Sequence, residues 1–404
     1  MPEIHLKSKR QIPLYFFPLF LLLFFASPAT AGEWSGYISS EARLFVQDPL
    51  HEGQRKQSLA LAAQPEYYHA WDKSSFTAVP FFRLDSADTK RTHLDIREFF
   101  YLWYPGEFEL GIGIRKVFWG VTESQHLVDI INQTDLIESP DREEKLGQPM
   151  VNLSIDRDWG TFDFFLLPYF RERTFPGRKG RLRTAFVVDI DQAQYESDDK
   201  QAHLDYALRF TRTLGDWDLA LSHFQGTSRD PSFKIGTDPS GKPVFIPFYD
   251  QIGQTGLEVQ LVAEAWLWKL EAIHRSGQGK SYQAWTGGFE YTFTGIFETQ
   301  MDLGAISEWL HDSRGERAPS PFEDDLMAGF RLAINDMASS EMLVGLIQDL
   351  DQTSKMISIE ASRRLSDHWK IEVEGFAFIQ QSKRDFLYAL RDDDFLQMTL
   401  FYYF

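Results

Sequence analysis

The chain has no cysteine in its 404 residues. That excludes a disulfide framework and thiolate metal sites. Beyond its N-terminal leader it has no apolar run of eighteen residues, so no membrane-spanning helix is expected. Positive charge is also short, with 41 Lys and Arg against 59 Asp and Glu and a net charge of −18. A polyanion needs a basic surface, so nucleic acid is not expected as a partner. The ten histidines show no ligand spacing of the His-Glu-x-x-His kind, and neither a metal site nor a cofactor is expected. No Pro/Gly/Ser linker and no break in composition divides the chain.

What is present begins with an export signal. Lys7, Lys9 and Arg10 precede an apolar run over 14–26, and Ala29-Thr30-Ala31 gives a small-x-small cleavage pattern. The run is too short to cross a bilayer of about 30 Å as a helix. Residues 1–31 are therefore read as a cleaved signal peptide and 32–404 as one domain. Losing three basic residues and one acid makes the remainder two units more negative than the whole chain. Aromatics make up 15% of the sequence, more than a soluble core requires. This suits a barrel, whose apolar signal is spread over alternate positions.

The alternation is plainest in the last ten residues. Leu396, Met398, Leu400, Tyr402 and Phe404 form one apolar set, interleaved with Phe395, Gln397, Thr399, Phe401 and Tyr403. A period of two is a strand with one face in a greasy medium. Here the sequence resembles the outer-membrane β-barrels of Gram-negative bacteria. By that resemblance Phe404, with Tyr402 and Leu400, is the signal read by the barrel-assembly machinery.

About eighteen such segments of ten to thirteen residues follow one another, sixteen to eighteen being the expected strand count. In 107–117, Phe108, Leu110, Ile112 and Ile114 alternate with Glu109, Gly111, Gly113 and Arg115. In 296–309, Phe297, Thr299, Met301 and Leu303 alternate with Glu298, Gln300 and Asp302. Every second connection is tight, as at Pro105-Gly106, Gly215-Asp216 and Thr294-Gly295. Those between are longer, as at 119–149, 171–201 and 226–254. Short periplasmic turns alternating with long external loops give that pattern. The fold expected is an all-β, antiparallel, up-and-down transmembrane β-barrel with an inward-folded loop. Eight of the eleven tryptophans, Trp34, Trp71, Trp103, Trp159, Trp217, Trp266, Trp268 and Trp369, fall near the tight turns. Amphipathic rings prefer the headgroup boundary, so they read as one interfacial girdle.

With apolar residues outward, the lumen carries both signs of charge, among them Arg97, Glu109, Arg209, Glu298, Asp302 and Arg331. Such a lining holds water and passes polar solutes. Eighteen tilted strands imply a diameter of roughly 36 Å, so something must fold inside. The candidate is 119–149, where Thr122 is placed to cap a short helix presenting Leu127, Ile130 and Ile131 on one face.

The run Arg115-x-Val117-x-Trp119-Gly120-x-Thr122-Glu123, then Asp129-x-Ile131-Asn132-x-x-Asp135, resembles a porin-like, largely uncharacterised family of proteobacterial outer-membrane proteins. The resemblance implies that Arg115, Trp119, Asp129, Asn132 and Asp135 lie in or near the lumen. A basic cluster, Arg171 to Arg183, is followed by Asp189, Asp191, Glu196, Asp198 and Asp199, and the two are expected to neutralise each other. Enzymatic sets are weak: Ser222-His223, Ser366-Asp367-His368 and His311-Asp312 carry no signature, and no catalysis is expected. The function expected is a porin-like outer-membrane channel for small solutes. Alternatives are a non-conducting surface protein that binds a partner or lipopolysaccharide through its loops, and a barrel passing hydrophobic compounds. Expected partners are outer-membrane lipid and lipopolysaccharide, the assembly machinery, a small solute, and two further copies in a homotrimer.

Overall fold

The computed structural model describes residues 32–318 and 320–404, so the expected signal peptide lies outside the described residues. In chain order the strands are β1 (Glu33–Phe45), β2 (Gln57–Trp71), β3 (Ser74–Asp85), β4 (His93–Trp103), β5 (Glu109–Arg115), β6 (Gln148–Arg157) and β7 (Gly160–Leu167). Two-residue β8 (Val187–Val188) and β9 (Gln194–Tyr195) follow, then β10 (Asp205–Leu214), β11 (Trp217–Thr227), β12 (Ser232–Thr237), β13 (Pro243–Tyr249) and β14 (Gln251–Ala263). The chain continues through β15 (Trp266–Gly277), β16 (Gly279–Phe293), β17 (Asp302–Asp312), β18 (Asp324–Ala333) and β19 (Glu341–Asp349). It ends with β20 (Lys355–Arg364), β21 (Trp369–Ile379) and β22 (Phe395–Tyr403).

All but β8, β9, β12 and β13 belong to one 18-stranded sheet. Each pairs antiparallel with its neighbours in sequence, and β22 pairs with β1 from Tyr37↔Tyr403 to Phe45↔Phe395. The sheet is thus a closed barrel without edges, its backbone groups satisfied around the ring. The other four form a small sheet in the long connections, which the sequence pattern did not mark.

The two faces sort as the alternation requires. On β22, Leu396, Met398 and Tyr402 are 50%, 49% and 38% exposed, while Phe395, Gln397 and Thr399 are buried. Tight turns gather at one end. At the Gly215-Asp216 turn, Gly215 has φ +61, which suits a two-residue hairpin.

Two expectations about local structure are corrected. The expected strand 296–309 begins only at Asp302, because pairing set further along places Phe293 opposite Leu303. Residues 294–301 are left without a partner strand. Ile296–Glu298 form a 3-10 turn in which Phe297 and Glu298 have φ +56 and +58. The expected helix after Thr122 is also absent: residues 116–147 form turns and bends without α-helix.

Candidate lumen constriction

Residues 116–147, between β5 and β6, fold into the barrel. Trp119, Val128, Ile130 and Ile131 are buried with Phe100, Met150, Phe165, Leu167, Phe224, Ile252 and Ile273 of the surrounding wall. These wall positions face inward and are apolar, which departs from the expectation of a polar lumen throughout. Where the loop docks, the interior is a dry core, and dry cores select apolar side chains. Trp119 is 2% exposed, edge-on to Phe165 at 5.7 Å, with the Arg209 guanidinium 5.4 Å from its ring.

Wall carboxylates hold the loop's backbone. Glu271 on β15 accepts from Val121 N at 2.7 Å, Thr122 N at 3.0 Å, Thr122 Oγ1 at 2.7 Å and Val128 N at 3.2 Å. Glu308 on β17 accepts from Glu123 N and Ser124 N, both at 2.8 Å, and Ser124 Oγ at 2.6 Å. An irregular segment satisfies its amides through side chains in this way, where a helix would use its own carbonyls. Gly120 has φ +140, and a Cβ there would lie 2.9 Å from Glu271 Oε1, so the motif's glycine permits the close approach.

His126 stands 3.7 Å from both Glu143 and Glu271. Burial acts to lower its pKa but is outweighed by these two carboxylates, and the ring is raised from 6.5 to about 10. A group raised on folding stabilises fully below its unfolded value and loses that contribution as pH climbs to the folded one. Loop docking is therefore expected to weaken between pH 6.5 and 10. The melting midpoint should fall across that window, and His126→Gln should flatten the dependence.

The loop's second half meets an ionic wall. Arg97, 2% exposed, reaches Asp95 at 3.1 Å and Asp135 at 2.8 Å. Arg83 reaches Glu138 at 2.6 Å and Glu41 at 2.7 Å, and Arg91 reaches Glu41 at 2.6 Å and Asp85 at 2.9 Å. Asn132 accepts from Val117 N at 2.8 Å and donates to Arg115 O at 2.9 Å and Leu146 O at 2.8 Å, closing the loop's base. Asp129 pairs with Lys145 at 3.0 Å.

Of the residues singled out from sequence, Arg97, Trp119, Asp129, Asn132 and Asp135 meet at this loop. Arg115 lies beside it with its guanidinium 5.0 Å from the Phe100 ring. Arg209 faces inward, paired with Glu258 at 2.7 Å. Arg331 faces inward across the remaining opening, paired with Glu123 at 2.6 Å. Glu109 starts β5 near the tight turns, exposed and away from the constriction. Glu298 is corrected, being exposed in the 3-10 turn. Asp302 shares the inward register of β17 but sits at its turn end, accepting from Gly295 N at 3.0 Å and Asn335 Nδ2 at 2.8 Å and tying two turns together. The basic cluster is corrected too. Arg171, Arg173, Arg178 and Arg181 pair with Asp95, Asp230, Asp238 and Asp393, not with the acids that follow them. Those bonds draw the long connections together across one end.

Trp34, Trp71, Trp103, Trp159, Trp217, Trp266, Trp268 and Trp369 are all exposed at the tight-turn end. Glu308, His126 and Glu138 escaped sequence reading. Glu308 continues the inward set of β17, so extending the alternation beyond Gly304 finds it. The two loop residues carry no periodic signal.

The loops leave one side open. A cavity of 530 Å³ lies along β18 to β22. Glu360, Glu372 and Glu374 line its charged part with Arg142, Arg183 and Lys370, while Met327, Met356, Phe376 and Phe378 line its apolar part. Glu360 and Glu374 are direct partners across β20 and β21.

No protein-family model matches the chain, and no curated protein does. Among solved structures it is similar to Wzi, a carbohydrate-binding outer-membrane β-barrel involved in group 1 capsule assembly in Escherichia coli. The two share 8% identity over 90% of this chain and 83% of that one, with a TM-score of 0.52. The chain has the fold of an outer-membrane β-barrel. The barrel is also similar to a mutant of Rh. blastica porin, at 11% identity over 93% of this chain and 100% of that one, with a TM-score of 0.45. A loop-deleted OmpT, from the outer membrane of Vibrio cholerae, shares 9% identity over 93% and 99%, with a TM-score of 0.47.

Proposed function

We propose that the barrel is a porin-like channel of the outer membrane, passing small solutes by diffusion and without catalysis. The observation that carries this reading is the lumen's division. Loop 116–147 fills one side with a dry core, and the cavity along β18 to β22 keeps a charged wall. The exposed apolar outer face supports insertion in lipid, with lipopolysaccharide around the long-loop end and the assembly machinery reading Phe404. A homotrimer suits this reading but is not required by it.

Acids outnumber bases along the opening, and among the described residues Asp141, Glu341, Glu360 and Glu374 have no ion pair, against Arg142 and Arg183, so cations are favoured over anions. Planar-bilayer recording on the purified protein is expected to give cation-selective steps. Glu360→Gln with Glu374→Gln should move the permeability ratio toward one, and a persistently silent bilayer counts against the channel.

The ties across the long-loop end favour a second reading, a surface protein whose loops bind a partner such as a carbohydrate. Deleting 228–250, the connection bearing β12 and β13, separates the two. A channel then conducts more, whereas a binder stays impermeable and loses its ligand. Passage of hydrophobic compounds rests on the apolar part of the cavity, and a block by apolar solutes tests it.

A further inference from the structure

Asp325 on β18 and Asp349 on β19 are direct cross-strand partners. They face inward at the long-loop end, 3% and 4% exposed. Like charges directly opposite on paired strands repel, and burial without a counter-charge makes the repulsion costlier. Glu323, two residues before Asp325, and Asp385 in the connection from β21 to β22 add two more buried carboxylates. Among the described residues no Lys, Arg or His pairs with any of the four. Arg314 is taken by Asp312 at 2.6 Å and Arg384 by Glu316 at 3.3 Å.

Asp325 Oδ2 is buried and has no hydrogen-bond partner among the described residues. Asp349 Oδ1 accepts from Asp351 N at 2.8 Å and Gln352 N at 2.7 Å, and Asp385 Oδ1 accepts from Leu387 N at 2.7 Å. Each of those two carboxylates is fixed by one oxygen, and the other has no partner among the described residues.

We propose that a hard divalent cation of the Ca²⁺ class binds between Asp325, Asp349, Glu323 and Asp385. Such ions take six to eight oxygens in flexible geometry, so four carboxylates completed by water suffice. The ion joins Glu323 and the connection bearing Asp385 to the barrel rim. The four carboxylates do not converge as tightly as His93, Asp135 and Glu138, whose ligand atoms lie within 4.8 Å of one another. Ion binding would draw the four together. The tighter trio is already neutralised, Asp135 by Arg97 at 2.8 Å and Glu138 by Arg83 at 2.6 Å.

The test uses the full-length barrel, purified in detergent and stripped of metal. Isothermal titration with Ca²⁺ and with Mg²⁺ should give one saturable site, and Ca²⁺ should raise the melting midpoint. Tb³⁺ bound there should luminesce on tryptophan excitation, since Trp309 donates to Asp324 at 2.7 Å beside the site, and Ca²⁺ should quench that signal. Asp325→Asn with Asp349→Asn should weaken binding at least about tenfold. Without metal this double variant should melt no lower than the parent, because it removes repulsion. No saturable binding of either ion by the folded parent overturns the proposal. So does unchanged affinity in the double variant.

Discussion

Glu271→Ala is expected to release the inward loop and raise single-channel conductance several-fold. The Glu271 carboxylate is fully buried and receives three backbone amides and one hydroxyl from residues 121–128. Alanine leaves those donors dry and unpaired, and strips His126 of one of its two carboxylates. A buried donor without a partner costs about 1–3 kcal/mol. The loop should therefore lose roughly 3–5 kcal/mol of docking free energy, the usual result of breaking a buried charged contact from one side. The β-sheet ring does not depend on this side chain, so circular dichroism should still report a folded barrel. Glu271→Gln retains one accepting oxygen and should fall between the two. An unchanged conductance in the alanine variant would falsify the view that this loop sets the opening.

Arg97→Met is expected to destabilise the barrel by about 3–5 kcal/mol, because it leaves Asp135 fully buried without a cation. Asp95 keeps Arg171 at 2.6 Å, so the loss is concentrated at Asp135. Asp135 also accepts from Thr174 Oγ1 at 2.6 Å, a bond too weak to offset a buried charge. Adding Asp135→Asn should recover most of the loss, since the orphaned charge goes with it. Chemical unfolding of the four proteins in the cycle measures the coupling, and additive effects would show that the pair does not act as one unit.

The barrel itself was legible because its signal is local and repeated. A period of two, a tight turn at every second connection and tryptophans near those turns are each visible without knowing what pairs with what. The strand at 296–309 misled because Phe297, Thr299 and Met301 alternate as a strand does. Register, which denied 294–301 a partner, is settled by pairs such as Trp285↔His311 further along. The constriction was half legible. Trp119, Asn132 and Asp135 stand in a dense motif, but their partners Arg97, Glu271 and Glu308 are separated from them by tens to hundreds of residues. No spacing in a single sequence reports which inward carboxylate will face which loop amide. The apolar inner wall was hidden for the same reason: Phe165, Phe224 and Ile273 read as unremarkable strand residues until the loop is seen against them. The basic cluster misled by proximity, since neighbours in sequence are not neighbours across a barrel.

The dry core inside the ring bears on how the barrel closes. Residues 116–147 precede in the chain most of the strands they dock against, β15 and β17 among them. Enclosed by the ring, the segment gives the staves a mandrel to close against. A copy lacking the mandrel would turn Phe165, Phe224 and Ile273 toward water, and such a ring should close slowly and cling to its neighbours.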